Sequence, residues 1–80
     1  MDFAFEHIHN GVTRNTSYSL ENQARIRDAF NNNEKQVMVY HLMHQGEFVG
    51  FALKHFIDLV ARTVTNTQSG AIYRLILTIP

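Results

Sequence analysis

The pair Asn10-Gly11 constrains this chain more than any other two residues. It lies between FAFEHIH and VTRNTSY, two runs in which residue character alternates. Asn-Gly readily takes the two left-handed conformations that a tight hairpin turn requires. A two-residue turn there dictates the register: His9 with Val12, His7 with Arg14, Phe5 with Thr16 and Phe3 with Tyr18. Side chains alternate along a strand, so these pairs share one face. Ala4, Glu6, Thr13, Asn15 and Ser17 take the other, with Ile8 its only large apolar member. The hairpin is expected to bury Phe3, Phe5 and Tyr18 and to turn its polar side to water.

Ser19 then offers an N-cap, with Glu21 where a helix dipole favours an acid. LENQARIRDAFN reads as a helix with a modest apolar stripe of Leu20, Ile26 and Phe30. Asn31-Asn32-Asn33 ends it, because asparagine tolerates the left-handed conformation of helix termini. KQVMVYHLMH is a strand on residue type. The segment after Gly46 supports two readings. As a helix from Glu47 to Thr65 it gathers Val49, Leu53, Phe56, Ile57, Val60 and Val64 on one face. As a hairpin turning at Gln45-Gly46 it sets Leu42 opposite Val49, Tyr40 opposite Phe51 and Met38 opposite Leu53. The hairpin is preferred, because Gly50 and the β-favouring Phe48, Val49 and Phe51 oppose a long helix. A shorter helix over about 54–65 follows it. TNTQSG is a polar loop, and AIYRLILTI alternates as a final strand with Ala71, Tyr73, Leu75, Leu77 and Ile79 on one face. The expected architecture is a single α+β domain over residues 1–80, a small two-layer sandwich of ββαββαβ order with a mainly antiparallel sheet and two helices. The alternative is ββαβαβ with a longer second helix.

Composition narrows the function classes. Seven basic residues balance seven acidic ones, without the basic surplus that phosphate binding draws on or the acidic one of a nucleic-acid mimic. There are no cysteines, so disulfides, thiolate metal sites and a cysteine nucleophile are excluded. MDFAFEHIHNG shows no signal-peptide pattern, and no run approaches the ~20 apolar residues of a membrane helix. A cytoplasmic setting is expected.

Candidate chemistry is sparse. His7 and His9 share a strand face at a spacing that metal sites use, but Glu6 falls on the wrong side to join them. His41 and His44 point to opposite faces. No metal and no cofactor is expected. No Gly-rich phosphate loop or nucleophile elbow is present, and Asp58 with Arg62 reads as a helical surface ion pair. An acid–base role, cleaving or binding RNA with His7, His9, Arg14, His41 and His44, is the runner-up. An obligate homodimeric subunit is a third reading.

The preferred reading rests on surplus apolar surface. If helices cover the face that carries Tyr40, Leu42, Val49, Phe51, Tyr73, Leu75 and Leu77, the other carries Val37, Val39, Met43, Phe48, Ile72 and Ile76, with His41 and Arg74 among them. An apolar sheet face with a polar rim marks an interaction site. The chain is therefore read as a non-enzymatic protein-binding module, not bound to membrane or nucleic acid. Val39, His41, Met43, Phe48, Ile72, Arg74 and Ile76 are its expected partner-binding residues, and the partner is another protein or a second copy. Small, cysteine-free, neutral single domains without catalytic motifs are typical of phage-encoded proteins that bind and block a host or defence protein, and steric occlusion is the expected mode of action.

Overall fold

A computed structural model of the chain describes residues 2–45 and 48–78, with the side chains of 43–45 and 48–51 outside that description. Its elements run β1 (Asp2–His9), β2 (Val12–Ser17), α1 (Leu20–Asn31), β3 (Gln36–Gln45), β4 (Phe48–Asp58), β5 (Thr63–Asn66) and β6 (Ile72–Thr78). The strands form one antiparallel sheet in the order β2-β1-β6-β5-β4-β3. Asn10 and Gly11 both hold positive φ, 51° and 76°, and the β1–β2 hairpin has the register that this turn dictates. Phe3, Phe5 and Tyr18 are buried by it. Ser19 Oγ accepts from the Asn22 backbone N–H at 3.3 Å, and Asn33 at φ 57° follows the helix end. Both helix boundaries therefore come from local side-chain and backbone chemistry.

The second helix expected over 54–65 does not form, so the two-helix ββαββαβ sandwich is replaced, among the described residues, by one helix on a six-stranded sheet. The longer-helix alternative fails with it. His55 and Ile57, two apart, are both buried, which is strand periodicity. They pair with Val39 and Val37 on β3, and Ile57 with Val64 on β5. Residues 59–62 make one tight turn. Asp58 Oδ1 accepts from the Val60 and Ala61 N–H groups, at 2.9 Å each, and Arg62 takes φ 60° to leave the turn. The Asp58–Arg62 helical ion pair is thus replaced by an Asp-capped turn.

The β3–β4 register differs from the expected one by three residues. Leu42 lies opposite Ala52, Tyr40 opposite Lys54 and Met38 opposite Phe56, with a bulge between Met43 and Gln45. An odd shift moves every side chain of one strand to the other face. Val37, Val39 and His41 therefore share the covered face, and Tyr40 and Leu42 face out. On β6 the expected face is the observed one, with Tyr73, Leu75 and Leu77 packed in or against the core.

The sheet curls strongly. Phe5 on β1 and His41 on β3 are four strand spacings apart in sheet order, about 19 Å if the sheet were flat. Their ring centroids are 5.1 Å apart. Helix α1 lies on the concave side and contributes Ile26 and Ala29 to a core with Phe3, Val39, Ile57, Val64 and Leu75. The buried stripe is Gln23, Ile26 and Ala29 rather than Leu20, Ile26 and Phe30: Leu20 is 90% exposed and Phe30 packs partly buried against Phe3. Among the described residues, no helix is long and apolar enough to cross a membrane.

Gln23 explains how a polar residue occupies the middle of that stripe. The Phe3 N–H donates to its Oε1 at 2.6 Å, and its Nε2 donates to the Phe3 carbonyl at 2.7 Å and the Tyr18 carbonyl at 3.2 Å. The chain leaves β2 for the helix at this point, and the amide completes the ladder position where Phe3 faces Tyr18. Gln23→Leu keeps much of the bulk but leaves the buried Phe3 N–H and Tyr18 carbonyl without that partner. It is expected to destabilise the fold by about 2–3 kcal/mol, read as a fall in the urea-unfolding free energy. A change below about 0.5 kcal/mol, the scale of a neutral surface substitution, would mean that the amide does not hold the helix to the hairpin.

Candidate functional site

Two features stand out, one on each side of the sheet. On the convex side no element covers the sheet among the described residues. The strand pairings line up Ile72, Thr65, Phe56 and Met38 as one row across four adjacent strands, β6-β5-β4-β3. Ile8 on β1 joins it, lining the same surface hollow as Ile72. Ile8 is 75% and Ile72 68% exposed, and Phe56 and Met38 are half-buried. The adjacent row is polar over five strands: Glu6, Arg74, Thr63, Asp58 and Gln36. Tyr40 and Leu42, 56% and 60% exposed, extend the apolar surface toward the β3 edge.

The expected partner-binding residues divide between the two sides. Ile72, Arg74 and Ile76 lie on the open convex face, Ile72 and Arg74 exposed and Ile76 half-buried. Val39 has no exposed surface and lies in the core, so it cannot meet a partner. His41 is on the concave side, half-buried among aromatic rings. The side chains of Met43 and Phe48 lie outside the described residues. The row Ile8–Ile72–Phe56–Met38 was hidden in the sequence by the register, although the outward position of Ile8 follows from the Asn-Gly turn alone.

On the concave side, beyond the helix, lies a cavity of about 180 Å³. Phe5 and His55 form its buried floor, and His7, Thr16, His41, Leu53 and Tyr73 its half-buried rim. The curl of the sheet assembles it, because these residues come from β1, β2, β3, β4 and β6. His41 and His55 stack with centroids 5.3 Å apart and planes inclined by 20°. Phe5 meets both at nearly right angles, at 5.1 and 5.0 Å. His55 Nδ1 and the Tyr18 hydroxyl share a 3.1 Å hydrogen bond, and His7 Nε2 and the Thr16 hydroxyl one of 2.7 Å. His41 has no hydrogen-bond partner among the described residues. Of the histidine–arginine set considered for RNA chemistry, His7 and His41 meet here. His9 and Arg14 are exposed on the hairpin, and the His44 side chain lies outside the described residues. His55, absent from that set, is the best-anchored histidine of the cavity. Its strand position, two before Ile57, was obscured by the helical reading. Among the described residues, no group of His, Asp and Glu side chains is placed to hold a metal.

Burial dominates the electrostatics. It pushes His55 down from an ordinary 6.5 to about 4, with the neighbouring His41 adding to the effect. His41 is also lowered, by burial and then by His7. Burial raises the Tyr18 hydroxyl. Both stacked imidazoles are therefore neutral at neutral pH. Because the folded state holds His55 neutral, the unfolded chain binds the proton first as pH falls. Stability is full above the unfolded value near 6.5 and declines as pH drops toward 4, by roughly 2–3 kcal/mol from this group. Urea unfolding at pH 7, 5.5 and 4 is expected to show that slope, and His55→Gln to remove the larger part of it. A wild-type slope left intact in the variant would place its origin elsewhere.

Compared with protein-family models, with curated proteins and with solved structures, the chain matches none.

Proposed function

We propose that the protein is a non-catalytic protein-binding module that docks through the open outer face of its sheet and acts by occluding a cleft on its partner. The carrying observation is the apolar row Ile8–Ile72–Phe56–Met38 lying uncovered beside the polar row Glu6–Arg74–Thr63–Asp58–Gln36. Apolar centre with polar rim is the anatomy of a protein interface. The rings and aliphatic chains would supply buried area, and Glu6, Arg74 and Asp58 would set the register of docking.

Shape favours a different protein over a second copy. The face is the outside of a sheet curled tightly enough to bring Phe5 within 5.1 Å of His41. Two such convex faces touch along a narrow strip, short of the ~800 Å² per partner that stable association generally buries. A concave partner surface can follow the curve. Steric occlusion follows from that fit, because a convex body seated in a cleft excludes whatever else would enter it.

The test uses a photo-crosslinking residue at position 72, with position 20 on the helix as control, in the native cell. Position 72 is expected to yield one discrete adduct and position 20 none. Adding Ile8→Glu should abolish the adduct while moving the unfolding free energy by under about 1 kcal/mol, as for an exposed side chain. An adduct between two copies of the chain, equal labelling from position 20, or unfolding by Ile8→Glu would each refute the reading.

A further inference from the structure

The concave cavity is separate from the docking face, and its lining has a chemical character of its own. Its volume, about 180 Å³, suits one six-membered ring with small substituents, since a cavity of about 150 Å³ accepts benzene. Phe5, Tyr73 and the stacked pair His41/His55 give it π faces on several sides, and flat rings pack best against such walls. The half-buried rim leaves an entrance, and no helix residue lines it.

The polar groups narrow the class. Among the described residues, no Asp, Glu, Lys or Arg lines the cavity, so none of them supplies a fixed charge to hold an ion. His41 offers its ring without a hydrogen-bond partner among the described residues. A neutral imidazole carries one N–H donor and one lone-pair acceptor. His7 uses one nitrogen on Thr16 and keeps the other. The cavity thus presents donor and acceptor together against aromatic walls, complementary to a ring edge that itself alternates acceptor and donor.

We infer that this cavity is a binding site for an uncharged, single-ring planar heterocycle with a lactam-type edge, the chemistry of a pyrimidine base. The ring would lie against Phe5 and Tyr73, which pack side by side at 5.4 Å, His41 would pair with its edge, and His55, tied to Tyr18, would form the floor with Phe5. The same edge occurs on a free base or nucleoside and on an unstacked base of single-stranded nucleic acid. Acidic small molecules and inorganic phosphate do not fit, because the lining offers them no counter-charge.

The experiment is a titration of the full chain at pH 7, followed through the imidazole C–H resonances of His7, His41 and His55. Uracil is the probe, and 1,3-dimethyluracil, toluene, acetate and inorganic phosphate are the comparisons. Uracil is expected to give saturable one-to-one shifts centred on His41 and His55. Binding should weaken about ten-fold or more for 1,3-dimethyluracil, and likewise for His41→Phe, since one lost hydrogen bond is worth about 1.4 kcal/mol. Leu53→Trp, which fills the rim beside its cross-strand partner His41 and leaves the polar side chains themselves in place, should block binding while the backbone amide spectrum stays folded. Uridine and oligouridylate then separate the sources. Equal affinity assigns a free ring, and a tighter, salt-sensitive oligouridylate assigns a nucleic-acid base. Toluene or 1,3-dimethyluracil binding as well as uracil would reduce the site to an apolar hole. Saturable shifts with phosphate or acetate would make it an anion site. No shift with any probe would leave the rings as core packing, and each of these three results overturns the inference.

Discussion

A single short helix is the only cover among the described residues for a six-stranded sheet, and the curl of the sheet answers that constraint. The helix spans twelve residues, about 18 Å of length at 1.5 Å per residue. Six strands laid flat would extend about 24 Å across. One helix cannot shield such a surface on one side, still less on both. Curling shrinks the inner face until β1 and β3 approach each other, so that helix and inward rings close the core between them. Phe3, Ile26, Val39, Ile57 and Val64, all without exposed surface, are the product. The outer face is what the arrangement leaves uncovered among the described residues, and both candidate sites follow from the same bend. Inside, it draws histidines from distant strands together. Outside, it shapes an apolar row into a convex ridge.

The helix must also be held at the seam, where the sheet stays open between β2 and β3. Polar side chains do this on both sides. Gln23 takes up backbone groups of Phe3 and Tyr18 on the hairpin side. Asn22, its neighbour, donates through Nδ2 to the Tyr40 carbonyl on β3 at 2.8 Å. One turn of helix thus bonds to both flanks of the opening and blunts strand edges that would otherwise offer free backbone groups. Amides suit the position because each can donate and accept at once.

The parts of the fold legible from sequence are those decided within a few residues. The Asn10-Gly11 turn, the register it imposes, the Ser19 cap and the asparagine stop each depend on local backbone chemistry, and the structure has all four. The stretch from Lys54 to Thr65 misled because Leu59, Val60, Ala61 and Arg62 suit a helix, whereas the outcome is settled by Asp58 binding two N–H groups and by pairing with β3. Nothing local announces the bulge between Met43 and Gln45, yet it alone decides which face of β3 enters the core. The surplus of apolar surface was visible, but its address was not. Val39 and Tyr40 exchange roles with a register shift of three. The histidine cavity was illegible for a related reason, since its members come together only through the curl.

Small domains leave little stability in reserve, which gives meaning to where polar groups go unpaired. Gln23, His55 and Asn66 are buried polar residues of this chain. Each is bonded: Gln23 to the hairpin, His55 to Tyr18, and Asn66 through its Oδ1 to the Gln68 and Ser69 N–H groups. Among the described residues, no buried side-chain nitrogen or oxygen lacks a partner. His41 belongs to the same aromatic cluster but sits at its rim, half-buried, where water can serve its ring nitrogens. A core histidine selected for packing alone would gain from a bond such as the one His55 makes. An imidazole with no hydrogen-bond partner among the described residues, at the mouth of a ring-sized cavity, costs little while solvated and becomes useful when something flat displaces that water. Position therefore separates the two stacked histidines: one is anchored as structure, and the other is open to a ligand.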